Sequence, residues 1–121
     1  MTTIQLHISK LWFAAKNMNW GLAKYEFDEL AETIEAAESL HAIQNNVDIS
    51  AVLQSLRNAQ LPSLGQTITQ KDNPKFKEAY GQTLTACNGC HAASGHEYIH
   101  IIPPIREPVT NQLWIVFDLR K

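Results

Sequence analysis

Up to about Gly95 the apolar residues recur with a helical period rather than the alternation of a strand. Ile4, His7, Ile8, Leu11, Ala14, Ala15 and Met18 fall on one face of a helix over about 4–17, with Lys10, Lys16 and Asn17 turned away. Asn17 to Gly21 reads as a tight turn, with Asn19 placed to cap a second helix over about 20–42. In that helix Leu22, Phe27, Leu30, Ile34, Ala37 and His41 point to the core. Glu26, Asp28, Glu29, Glu32, Glu35 and Glu38 form an acidic, solvated side. Gln44-Asn45-Asn46 is a turn, and Asp48 caps a third helix over about 49–69 through Ile49, Val52, Leu53 and Leu56. Pro62 and Gly65 predict a break or kink in it, while Leu61, Leu64 and Ile68 carry the rhythm onward. Asp72, Asn73 and Pro74 open a fourth helix over about 74–94, with Phe76, Tyr80, Thr83, Leu84, Cys87 and His91 on its inner face and Gly95 ending it.

The tail, 96–121, is of another kind. Pro103, Pro104 and Pro108 forbid a regular helix, yet Ile99, Ile101, Ile102 and Ile105 make the stretch too apolar for a free end. It is expected to wrap over the helices, and Trp114-Ile-Val-Phe-Asp-Leu119 to form a short strand or a packed extension. The expected fold is all-α: an up-down-up-down four-helix bundle with an irregular C-terminal tail, one domain over 1–121.

Composition narrows the function. A chain of 121 residues that is 45% apolar can bury a core, and a net charge of −2 argues against nucleic acid or an anionic membrane as main partner. No apolar run approaches the ~18 residues of a membrane span. Met1-Thr-Thr-Ile-Gln-Leu-His7 lacks a basic region followed by an apolar one, so no secretory signal is read, and Met1 is taken as added to a processed or recombinant chain. No nucleophile–base constellation suggests an enzyme.

The chain's only two cysteines stand in Cys87-Asn88-Gly89-Cys90-His91. This is C-x-x-C-H, the attachment pattern of one covalent haem c. Thiols three apart lie on one side of a helical turn and reach two vinyl groups, and the adjacent imidazole meets the iron. Two other uses of the same residues stay open. A thioredoxin-like dithiol needs a βαβ setting, and no β-rich run precedes Cys87. Zinc could take Cys87, Cys90, His96 and His100, although the short spacer leaves His91 without a role.

A helical chain of this length with C-x-x-C-H in its last long helix resembles the four-helix-bundle cytochromes c, the cytochrome c-prime group. The resemblance covers about Ile4 to Gly95, and only Cys87, Cys90 and His91 are motif-specific. It implies thioethers at Cys87 and Cys90 and proximal ligation by His91. In that group the motif lies near the chain end, whereas here a long tail follows. The group also usually sets an apolar residue above the iron, whereas here the first helix carries a histidine on its core face.

In an up-down-up-down bundle the first and fourth helices are neighbours, and four-helix b-type cytochromes resemble this arrangement with an axial ligand from the first. His7 and Met18 are the candidates, roughly 16 Å apart along the axis. His91, near the end of the fourth helix, lies level with the start of an antiparallel first helix, so His7 is the expected distal ligand. Met18 and an open site are the alternatives. His41 is read as an end-of-helix residue. His96 and Arg106 are candidate partners for haem propionates, with plain surface placement as the alternative, and Trp12, Phe13, Trp20 and Tyr25 are read as packing.

The expected function is that of a periplasmic monohaem electron carrier serving redox partner proteins, with homodimerisation possible. The alternatives are a five-coordinate haem protein that binds or senses NO or CO, and a zinc-stabilised interaction module.

Overall fold

The computed structural model describes residues 1–117. Their architecture is all-α, with one two-stranded ribbon. The elements are α1 (Thr2–Lys16), α2 (Trp20–Glu38), β1 (Ile43–Gln44), β2 (Val47–Asp48), α3 (Ile49–Asn58), α4 (Gln60–Thr69) and α5 (Asn73–Ala93). No helix among the described residues is long and apolar enough to cross a membrane.

The Asn19 and Asp48 caps read from the sequence are in place, and Asp72 adds a third. The Asn19, Asp48 and Asp72 side chains accept hydrogen bonds from the Leu22, Ala51 and Lys75 amides at 3.2, 3.1 and 3.1 Å, giving α2, α3 and α5 defined starts. Between α1 and α2, Met18 adopts a left-handed φ of 56°. That reverses the chain and leaves Met18 half exposed, so it is a turn residue.

Two boundaries differ from expectation. The second helix stops at Glu38, because Leu40 and His41 leave the helical path and the chain enters the β1–β2 ribbon. Ile43 pairs with Asp48 and Gln44 with Val47, so Asn45 and Asn46 form a two-residue turn. Both have positive φ, 49° and 64°, as a turn matching the right-handed twist of a hairpin requires. The expected third helix is two helices, broken at Ala59 rather than at Pro62 or Gly65. Pro62 falls in the first turn of α4, where its missing N–H leaves no gap; a helix continuous from α3 would set its ring against the Asn58 carbonyl. Gly65 lies inside α4, where a Cβ would come within 2.9 Å of the Phe27 ring, so glycine there permits close packing of α4 on α2.

The core is built from Ile4, Ile8 and Leu11 of α1, Leu30 and Ile34 of α2, Leu53, Leu56, Leu61 and Leu64 of α3 and α4, and Phe76, Tyr80 and Leu84 of α5. Rings tie its middle: Trp12 against Tyr80 at 4.9 Å, Phe76 against Tyr80 at 5.6 Å, Trp20 against Phe76 at 6.3 Å. Tyr25, read as packing, is 59% exposed. Glu26, read as solvated, is 2% exposed. It occupies the same stripe as Ala23, Leu30 and Ile34, at helical steps of three and four.

Among the described residues the tail has no strand. Trp114 is buried against Phe13 at 5.8 Å, and the Asn19 amide donates to the Trp114 carbonyl at 3.1 Å. Asp118 and Leu119, the last part of the expected extension, lie outside the described residues.

Arg57 of α3 grips Glu38 at the end of α2 through Nε and Nη2, at 2.8 and 3.1 Å. The hydrogen bond from Arg57 holds the Glu38 carboxyl below its ordinary value of 4.5. A lowered folded value means that this contribution is full above the ordinary value and is lost as pH falls through the lowered one. Arg57→Gln therefore lowers the melting temperature at neutral pH, and the difference from wild type closes in acid. A gap that stays constant across a thermal-melt series from pH 7 to strong acid would remove the pair from this account.

Candidate functional site

The last two turns of α5 carry Cys87, Cys90 and His91 to one side of a cavity of about 510 Å³. That size suits a bound organic group. α1 and α5 are joined where the Tyr80 hydroxyl donates to the Ile8 carbonyl at 2.8 Å. Cys87 follows about 10 Å further along α5, and there the cavity lies between the helices. Its lining is mostly apolar, with Ile4 and Ile8 from α1, Ala37 from α2, and Ile49 and Leu53 from α3, and includes the polar Thr2, Gln5 and Gln44.

The helix ends immediately after the motif by a geometry its residues dictate. The His96 amide donates to the His91 carbonyl at 2.7 Å and the Gly95 amide to the Ala92 carbonyl at 3.2 Å, a Schellman stop. Gly95 has φ of +82°, and a Cβ there would meet the Asn45 amide at 2.6 Å. The same Asn45 amide donates to the Ser94 carbonyl, so the hairpin buttresses the end of the motif helix.

Both cysteines are free thiols and half-buried. Burial, followed by the neighbouring Cys90, pushes the Cys87 thiol up to about 11, and burial also raises Cys90. Burial likewise drives the Tyr80 phenol far above its usual range. A dithiol redox centre needs the opposite shift, commonly supplied by a helix N-terminus. This pair sits at a C-terminus, where the helix dipole disfavours thiolate. The arrangement presents two neutral thiols to an apolar cavity.

His91 Nδ1 lies 2.9 Å from the Ile99 carbonyl oxygen. A carbonyl only accepts, so Nδ1 carries a proton, and in the neutral ring the lone pair is then on Nε2, the tautomer expected of a metal-ligating histidine. The residues present therefore fit a covalently held haem: two thiols, one imidazole with a free Nε2, and an apolar chamber.

Of the expected site residues, the structure brings Cys87, Cys90 and His91 together and leaves His7 apart. His7 does not line the cavity; its Nδ1 is 3.2 Å from Oε1 of the buried Glu26. The reason is rotational. α1 turns Ile4 and Ile8 towards the cavity, which directs position 7 to α2, where Glu26 waits in an otherwise apolar stripe. Met18 lies at the α1–α2 turn, its sulfur accepting from the Asn73 amide. His41 is exposed beyond α2 with φ of 51°. His96 lines the cavity, with Nδ1 3.2 Å from the Ser94 hydroxyl. His100 and Arg106 line a neighbouring groove that shares Gln5 and Ile101 with the cavity. The four zinc candidates are thus divided between two places, and among the described residues no three His, Cys, Asp or Glu side chains are set to hold one metal ion.

Sequence reasoning missed the tail's grip on the motif, which Asn88, Ile99 and Ile101 provide, because no local pattern reveals which distant backbone a side-chain amide will meet. No family model, curated protein or solved structure matches the chain.

Two measurements check this geometry. Gly95→Ala, forced into a left-handed conformation against Asn45, destabilises the protein by about 1–2 kcal/mol in urea unfolding; a neutral result contradicts the stop. In haem-free protein Cys90 is alkylated before Cys87, because burial suppresses the Cys87 thiolate more. Equal rates in a mass-spectrometric time course contradict that ordering.

Proposed function

We propose that this chain is a monohaem c-type cytochrome whose work is one-electron transfer. Haem c is held through thioethers to Cys87 and Cys90, with His91 Nε2 as the proximal ligand to iron. The observation that carries the reading is the His91–Ile99 hydrogen bond. It leaves a free Nε2 on a ring that lines the same cavity as both thiols. When bound, the group supplies an iron that alternates between ferrous and ferric states. The protein's own part is to orient the imidazole, to surround the porphyrin with Ile4, Ile8, Ile49 and Leu53, and to keep water away from it. His96 at the cavity, with Arg106 and His100 in the adjoining groove, are suited to receive propionates. The bundle topology is proposed as up-down-up-down, with α3 and α4 together making one bent leg. Because haem c is attached outside the bacterial cytoplasm, the protein is assigned to the periplasm, with redox proteins, and possible self-pairing, as its partners.

A second reading is favoured by one observation. The cavity's lining is mostly apolar, and Glu26 engages the histidine expected as distal ligand. An iron left without a ligating side chain on its far side would be free to take NO or CO.

Visible spectra of the purified protein decide between these readings. Covalent haem that survives acid extraction is expected, and His91→Ala abolishes the native spectrum. His7→Ala leaves the spectrum of the haem unchanged, since His7 belongs to the α1–α2 contact. Carbon monoxide changing the reduced spectrum selects the ligand-binding form, and bands indifferent to it select the closed carrier. A colourless protein with both thiols reactive ends the proposal.

A further inference from the structure

The motif contains one side chain with no assigned part in attachment, Asn88, and it makes an unusually complete contact. Its Oδ1 accepts from the Ile101 amide at 2.7 Å, and its Nδ2 donates to the Ile101 carbonyl at 2.9 Å. Both polar groups of one backbone residue are therefore satisfied by one side chain, as a neighbouring strand would satisfy them. Asn88 and His91 stand three apart on α5 and so share a face. They meet the same short tail segment: His91 takes the Ile99 carbonyl, and Asn88 takes Ile101 two residues on. Beyond these bonds the segment has the packing of Ile101 on the core and few further backbone hydrogen bonds. The Ile99 amide donates to the His96 carbonyl at 2.8 Å, and Pro103 and Pro104, which follow, have no N–H to offer.

We infer that Asn88 is a positioning residue for the proximal ligand. By clamping Ile101 it keeps the Ile99 carbonyl against His91 Nδ1–H and so fixes how strongly His91 donates to iron. The inference rests on the haem reading above. A hydrogen bond at Nδ1 makes the imidazole a better donor, and better donation favours ferric iron and lowers the midpoint potential. Releasing the clamp lets the carbonyl drift, weakens donation and raises the potential. A residue that merely stabilised the tail would not move it.

The test is a redox titration of the haem-loaded Asn88→Ala protein beside wild type, with Asn19→Ala as control. Asn19 holds the far end of the same tail at Trp114, so its loss costs stability without touching His91. The expected result is an upward potential shift in N88A and none in N19A. Ile101→Pro, which deletes the amide that Asn88 accepts from, gives the same upward shift and serves if N88A does not mature. Hydrogen exchange reads the clamp without haem: the Ile101 amide exchanges up to about tenfold faster in N88A. A matured N88A or I101P protein at the wild-type potential, or an equal shift in N19A, overturns the inference. Wild-type protein without covalent haem would sink the proposed function and the electronic role together. Exchange at Ile101 in that protein would still show whether the clamp exists.

Discussion

One buried hydrogen bond sets the geometry of this molecule: the Tyr80 hydroxyl donating to the carbonyl of Ile8. It joins the first and last helices at mid-length, with Trp12 and Phe76 packed on the same ring. A phenol buried this deeply is held in place because losing its partner would strand a polar group in an apolar core. On one side of the contact the chain closes into ordinary packing. On the other, α1 and α5 both continue, and their facing side chains, Ile4 and Ile8 against Leu84 and Cys87, line the cavity instead of filling it. The chamber is thus a product of where two helices are tied, and the motif is placed at its edge by helical arithmetic.

The helices were largely legible from spacing because their signals are local. Asn19, Asp48 and Asp72 cap where their position before an apolar run suggests, and Gly95 ends α5 where glycine can take a positive φ. The break in the third helix was foreseen but misplaced, since Pro62 acts on the residue four before it rather than on itself. Glu26 shows the limit of reading charge as exposure. Its spacing from Ala23 and Leu30 put it on the buried stripe, but only the presence of His7 across the interface makes a carboxylate tolerable there, and that pairing joins different helices. The cysteines and His91 were legible as a motif. What grips His91 was not, because the carbonyl of Ile99 carries no side-chain signature.

The His7–Glu26 pair also changes what the chamber can be. A histidine on the core side of α1 was the natural candidate for a second axial ligand. A small rotation of α1 turns it to the acid of α2 and gives the cavity a wall of Ile4 and Ile8. One oxygen of Glu26 faces His7 and the other is buried without a hydrogen-bond partner. Such an arrangement is costly to keep in an apolar interior unless the paired atoms hold it. It fixes the register between α1 and α2, and through α1 the position of the wall.

The tail's attachment at both ends bears on the order in which the molecule is assembled. Ile99 and Ile101 line the chamber and are also the residues fastened to the motif, while Trp114 is seated far off beside Phe13. On the proposed haem reading, a planar group in the space would have that segment as part of its wall once it is seated. Attachment at the cysteines would then be simplest before the segment latches. The order of the chain allows this, since the segment lies after the cysteines and emerges from synthesis later than they do.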